Sequence, residues 1–195
     1  KTPGYFGHMN LSRPVFFIQY LATILKILRC VCIKCSKLLI DKQKYSKLLE
    51  MSPDARWNSV FQMASKVKCC GEDTMNGCGC TQPKTIKKEG LATVIAEWEK
   101  TDSEDTNNAM KLTPEFVIKI FKRISDEDVN FMGFSSVWSR PEWMVCTVLP
   151  VAPPAVRPSI KHDSQQRSED DITHILINII KANKTLQEKL ESNAA

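Results

Sequence analysis

Seven of the chain's eight cysteines lie between Cys30 and Cys80, and no other feature narrows the possible folds as much. They come as Cys30, Cys32 and Cys35, then Cys69 and Cys70, then Cys78 and Cys80. Disulfide frameworks belong to short, loop-rich secreted chains with a leader peptide. This chain has 195 residues, long helical periodicities and no charged leader with an apolar core. Reduced thiols gathered on a metal fit better. In Cys32-Ile33-Lys34-Cys35 two thiolates of a C-x2-C turn can face one Zn²⁺, and a second pair arriving from a distant segment completes an all-sulfur tetrahedron. Glycines beside Cys78 allow the tight backbone of such a knuckle. Spacing leaves the second pair open among Cys69, Cys70, Cys78 and Cys80. Four sulfur ligands leave no open position, so the ion would serve folding rather than catalysis. A thioredoxin-like dithiol would need its C-x-x-C to open a helix within a βαβ unit, whereas here the motif follows a helix-prone run.

The rest of the composition is that of an ordinary folded chain. With 43% hydrophobic and 25% charged residues, it has room for one compact domain or two small ones. A net charge of +5 is too modest to require a nucleic-acid partner. The longest apolar stretch, 15–28, is interrupted by Gln19, Thr23 and Lys26 and falls short of the roughly 20 residues of a bilayer span. No membrane association is expected. The missing initiator Met, and a helical pattern reaching Glu188-Lys189-Leu190-Glu191 near the end, lead us to expect a fragment.

Along the chain, 1–10 reads as a glycine-bearing loop, and 15–28 as a β-prone start, Val15-Phe16-Phe17-Ile18, passing into a helix from Leu21. Tyr45, Leu48 and Leu49 fall at helical spacing within 41–49. Trp57, Val60, Phe61 and Ala64 do the same after Ser52-Pro53. Thr113-Pro114-Glu115 is a helix start with Thr as N-cap, followed by Phe116, Val117, Ile120, Phe121 and Ile124 on one face. Ser125-Asp126-Glu127-Asp128 repeats the capping signal, and 143–151 is β-prone. The proline-rich run 150–158 reads as a rigid, strand-like connector. Ser168-Glu169-Asp170-Asp171 caps the longest helix, whose stripe is Ile172, Ile175, Leu176, Ile179, Ile180, Leu186 and Leu190. The polar segment 101–108 is the best linker candidate. Trp57, Trp98 and Trp143 read as core, and Cys146 as a small buried hydrophobe.

Several blocks occur in one order: Pro3-Gly4-Tyr5-Phe6-Gly7-His8, Leu28-Arg29-Cys30-Val31-Cys32-x-x-Cys35-Ser36-Lys37-Leu38-Leu39, Gly77-Cys78-Gly79-x-Thr81-Gln82-Pro83, Arg140-Pro141-Glu142-Trp143-Met144, Val148-Leu149-Pro150-Val151-x-Pro153-Pro154-x-Val156-Arg157-Pro158 and Glu169-Asp170-Asp171. This order resembles the amino-terminal clamp region of the largest subunit of multisubunit DNA-directed RNA polymerases, of the eukaryotic RNA polymerase II type or a viral relative. The resemblance runs through almost the whole chain. It implies a helix-rich α+β clamp module with short β elements, covering 1–195, with a zinc-binding subregion at 28–83. It implies structural zinc on Cys32, Cys35, Cys70 and Cys78, with Cys70 placed by gap-free alignment from Arg56-Trp57 and Cys69 as the fallback. An earlier zinc site of the family is not expected, because Thr2 and Tyr5 stand at its ligand positions, and His8 matches a loop histidine.

By the same resemblance the chain is part of a nucleotidyltransferase complex, without catalytic residues of its own. The Mg²⁺-binding aspartate loop lies downstream in the family. Asp126-Glu127-Asp128 and Glu169-Asp170-Asp171 read as helix caps instead. The implied partners are template DNA, the DNA–RNA hybrid and other polymerase subunits. The implied location is the nucleus, or a viral factory or virion in the cytoplasm. Arg157, Lys161 and Arg167, on or just after the proline run, are candidate phosphate contacts, with Lys84, Lys87 and Lys88 beside the knuckle as a second set. Two other functions remain open: a stand-alone zinc-dependent interaction module docking a partner on the 172–190 stripe, and a dithiol oxidoreductase using Cys32 and Cys35.

Overall fold

A computed structural model describes residues 3–99, 108–162 and 166–193. Among these the strands are β1 (Gly7–Phe16), β2 (Thr85–Glu89), β3 (Thr93–Glu97), β4 (Ala109–Leu112), β5 (Val145–Val151), β6 (Ile160–Lys161) and β7 (Arg167–Ser168). The helices are α1 (Leu21–Leu28), α2 (Pro53–Ala64), α3 (Pro114–Lys122), α4 (Asp126–Met132) and α5 (Asp171–Ser192). Strands and helices segregate along the chain, as in an α+β fold. Two compact units result: Val15–Val145, and Lys1–Pro14 with Cys146–Ala195.

The larger unit is built around one apolar core. α1 has no side-chain cap and is held by burial of Leu21, Ile24, Ile27 and Leu28. Each such side chain contributes roughly 1.5–3 kcal/mol when fully buried. α3 starts where Thr113 Oγ1 accepts from the Phe116 amide at 3.3 Å, and it buries Val117, Ile118, Ile120 and Phe121. α4 starts where Ser125 Oγ accepts from the Asp128 amide at 3.1 Å. It ends at Gly133, φ +101°, where a Cβ would sit 2.4 Å from the Pro53 carbonyl oxygen. Only glycine allows α2 and α4 to meet so closely. β2, β3 and β4 form an antiparallel sheet in which Ile86 opposes Ala96 and Val94 opposes Leu112. These four side chains are buried on one face. The opposite face carries Lys87 and Glu97, paired at 2.6 Å.

The smaller unit pairs β1 with β5 and β6 with β7, and carries α5. Asp170 caps α5, its Oδ1 accepting from the Ile172 amide at 2.8 Å. No residue of α5 is buried. The Asn183 side chain ties the helix to β1: its Oδ1 accepts from the Ser12 amide at 2.7 Å and its Nδ2 donates to the Asn10 carbonyl at 2.9 Å.

Several sequence expectations change. The amino-terminal loop gives way to strand at Gly7, since pairing with β5 satisfies the backbone there. The 41–49 helix is only a 3₁₀ turn, Ser46–Glu50; it ends at extended Met51, and Ser52 is kept out of helical backbone by the following Pro53. The proline run leaves its extended path after Val151. Pro154 sits second in a turn closed by the Val156 amide donating to the Pro153 carbonyl at 2.9 Å, a position its fixed φ favours. Trp143 lies in the 3₁₀ turn Pro141–Met144 and is 55% exposed, because Met144 takes the inward position. Trp57 and Trp98 do pack on the core. The linker expectation at 101–108 falls largely outside the described residues, as does Thr2.

Candidate metal centre

The first knuckle grows directly out of α1. Past Leu28 the chain folds into a tight hairpin, with Val31 bridged to Leu38, the Cys32 amide donating to the Lys37 carbonyl at 2.8 Å and the Ser36 amide donating to the Cys32 carbonyl at 2.8 Å. Ser36 adopts φ +63°, which tightens the turn. Cys32 and Cys35 thus share a hairpin rather than open a helix, which is not the setting of a thioredoxin-like pair.

The second knuckle repeats this plan with glycine. Cys69 is bridged to Thr81, the Cys70 amide donates to the Cys80 carbonyl, and the Gly79 amide donates to the Cys70 carbonyl, both at 2.9 Å. Gly79 has φ +73°, a conformation other residues adopt only with strain.

Together the two turns gather four sulfurs. Cys32 Sγ lies 3.6 Å from Cys78 Sγ, Cys35 Sγ lies 3.6 Å from Cys70 Sγ, and all four lie within 4.8 Å of one another. These separations are far beyond the ~2.05 Å of a disulfide, and all four cysteines are free. A tetrahedral ion with bonds of about 2.3 Å sets sulfur–sulfur edges near 3.8 Å. The donor set therefore fits a thiophilic metal with only small inward movement of the wider pairs.

The thiols are electrostatically uneven. Burial pushes Cys32 up, yet the amides of Cys35 and Lys34 and the Cys78 thiol outweigh it and bring its pKa down to about 7. Burial pushes Cys70 up to about 12, with the neighbouring thiols adding to the rise. Burial also raises Cys35, the Cys32 and Cys78 thiols adding to the rise. Cys35 and Cys70 thus hold their protons more tightly than Cys32, and a bound cation would offset that difference.

The other four cysteines are not members of the cluster, although Cys80 lies close enough to interact with Cys32 and Cys78. Cys30 is fully buried in the core, and burial lifts its thiol to about 12. Cys69 is exposed, Cys80 is half-buried beside the second knuckle, and Cys146 is buried in the smaller unit. Sequence spacing left four candidates for the second pair; the fold brings buried Cys70 and exposed Cys78 against Cys32 and Cys35. Among the described residues no second cluster of ligating side chains forms, and His8 and Tyr5 are exposed.

One contributor was quoted in the sequence only as part of a block. Gln82 is buried, its Oε1 accepting from the Ile33 amide at 3.1 Å while its Nε2 donates to Cys32 Sγ at 3.3 Å and to the Cys80 carbonyl at 2.8 Å. Nothing in the sequence around Thr81-Gln82-Pro83 marks it as buried.

The candidate phosphate contacts lie in the smaller unit. Lys161 and Arg167 are cross-strand partners on the β6–β7 hairpin, both exposed. Arg157 is half-buried, its Nε donating to the Ala152 carbonyl at 2.9 Å and its Nη1 to Thr173 Oγ1 at 3.1 Å. Among the lysines near the knuckle, Lys84 pairs with Glu99 at 3.2 Å and Lys87 with Glu97, while Lys88 is exposed. The acidic clusters act locally. Asp126 pairs with Arg140, while Glu127 and Asp128 meet Lys42 at 3.0 and 2.7 Å. No described helix is long and apolar enough to cross a membrane.

Comparison with known proteins agrees over the full length. Residues 1–195 match the family model for RNA polymerase Rpb1, domain 1. The chain is also similar to the DNA-directed RNA polymerase II subunit RPB1 of Euplotoides octocarinatus, at 41% identity over 203 aligned residues, covering 98% of this chain and 42% of that relative. It thus spans less than half the length of this relative.

Proposed function

Since the chain belongs to the RNA polymerase Rpb1 domain 1 family, that of the polymerase largest subunit, we propose that it acts as the clamp region of a DNA-directed RNA polymerase, closing over the DNA–RNA hybrid and downstream DNA. Nucleotidyl transfer and its Mg²⁺ belong to other regions of that enzyme. The observation that carries the reading is the closed four-thiol cluster joining 32–35 to 70–78 inside a chain that matches the family throughout. Cys32, Cys35, Cys70 and Cys78 would hold Zn²⁺, whose bound charge lets all four thiols ionise at once. With every coordination position filled by sulfur, the ion fixes two turns and leaves none for a substrate. Arg157 braces the turn after β5 against α5, and Lys161 and Arg167 offer two cations to a phosphate line. The partners are then template DNA, the hybrid and other polymerase subunits, and the location is nuclear.

The test uses polymerase assembled with this subunit. Replacing both Lys161 and Arg167 by Ala should shorten elongation-complex lifetime and flatten its salt dependence, by about 0.9 in the log–log slope per lost phosphate contact. Unchanged lifetime and slope would remove these residues from the interface. A second reading, a stand-alone zinc-dependent interaction module, is favoured by the unburied stripe of α5, where Ile172, Ile175 and Ile180 are 47%, 57% and 51% exposed. It predicts that the chain binds its partner without the polymerase.

A further inference from the structure

We propose that Gln82 is a positioning residue of the metal centre, its amide locking the two knuckles together and donating a hydrogen bond to the Cys32 thiolate. This inference rests on the metal reading above and adds a role for a side chain outside the four ligands.

The orientation of the amide follows from its neighbours. The Ile33 backbone N–H needs an acceptor, so Oε1 faces it at 3.1 Å. Nε2 then points at two acceptors, Cys32 Sγ at 3.3 Å and the Cys80 carbonyl at 2.8 Å. Reversing the amide would set two donors face to face at Ile33 and two acceptors face to face at Cys80. Every polar atom of the group is used, and its partners lie on both turns: Cys32 and Ile33 on the first, Cys80 on the second. Its own backbone amide donates to the Lys68 carbonyl at 2.7 Å, anchoring it at the base of the second knuckle.

The consequence is chemical as well as geometric. Cys32 Sγ also accepts from the Lys34 amide at 3.4 Å and feels the Cys35 amide, so the Gln82 N–H joins backbone donors at one sulfur. Charge-assisted bonds to a thiolate draw off part of its negative charge, which counters repulsion within an all-sulfur shell. They also blunt the sulfur as a nucleophile and hold it at its bonding angle. Groups that orient metal ligands from outside the shell typically change metal affinity by about 10–100-fold when lost.

The experiment compares the chain with Gln82→Met, which keeps length and burial but removes both polar functions. Each is loaded with zinc, then challenged with a colorimetric chelator, and each is also loaded with Co²⁺ to read the sulfur-to-metal charge-transfer band. Gln82→Met should bind one equivalent, release it about 10–100-fold faster, and shift that band. A second measurement on the unmodified chain guards against a variant that fails to fold. With ¹¹³Cd in place of zinc, the Gln82 side-chain N–H should show scalar coupling to the metal through the sulfur. Unchanged release, an unshifted band and no coupling would overturn the assignment while leaving the centre intact. A chain that takes up no metal at all would overturn the metal reading and this one together.

Discussion

The two units hold themselves together by different means. Val15–Val145 buries a continuous apolar core from Phe16 to Val145 and carries the four-thiol cluster at its edge. The unit containing α5 buries no residue of its longest helix and is organised by hydrogen bonds of Asn183, Arg157 and Asp170. The same kind of amphipathic helix therefore carries different weight in each. α3 has full burial on one face, whereas α5 shows Ile172, Ile175, Ile177 and Ile180 to solvent. Amphipathic pattern announces a helix, but its contribution to stability depends on what covers the stripe.

This contrast can be broken or sharpened by measurement. The largest effect is expected from Cys32→Ser or from stripping the metal, because apparent binding free energies of structural zinc run to about 10–16 kcal/mol and act as folding free energy. Metal content should fall from one equivalent, and hydrogen-exchange protection should collapse across 28–83. Retained protection there would remove the cluster as a staple. Next, Phe121→Ala should cost about 3–5 kcal/mol in denaturant melts, since the ring is fully buried. A loss below ~1 kcal/mol would put the core elsewhere. Asn183→Ala should cost about 1 kcal/mol, read as faster amide exchange at Ser12, because it leaves that half-buried amide unpaired while the exposed Asn10 carbonyl turns to water.

A pH effect ranks lower. The Lys44 ammonium and the Asp41 amide outweigh burial and hold the Asp73 carboxyl below its ordinary value of 3.8. A depressed folded pKa gives stability that is full above the unfolded value and lost as pH falls through the folded one. Asp73→Asn should flatten that acid limb of a pH–stability curve, and an unchanged limb would show that the pair contributes nothing. The smallest effect is Ile175→Ala on exposed α5, within about 0.5 kcal/mol. A larger loss would mean that α5 is covered, which would remove the contrast.

Much of this was readable from residues alone, for reasons that differ by site. Thr113 and Ser125 announced α3 and α4 because an N-cap is local chemistry, needing only the next turn to accept from. Cys32 and Cys35 announced themselves by spacing, but choosing Cys70 over Cys69 depended on which side of a bridged turn faces inward. That is a matter of register. The extent of β1 was hidden because its partner, β5, lies over a hundred residues away. Trp143 was misread because apolar size says nothing about which way a 3₁₀ turn points its residues. Gln82 was invisible as a functional group, since a buried amide is meaningful only once the atoms it must satisfy are known.

The tie between α5 and β1 reaches further than the helix it fastens. Among the described residues β1 has one strand neighbour, β5. On β1 the Asn183 amide offers one acceptor to Ser12 and one donor to Asn10, as a passing peptide group would. An incoming chain seeking to extend the sheet finds those positions already taken. The asparagine thus occupies two groups such a chain would need, and Asn183→Ala should show first in concentrated solution, as light scattering that grows with time.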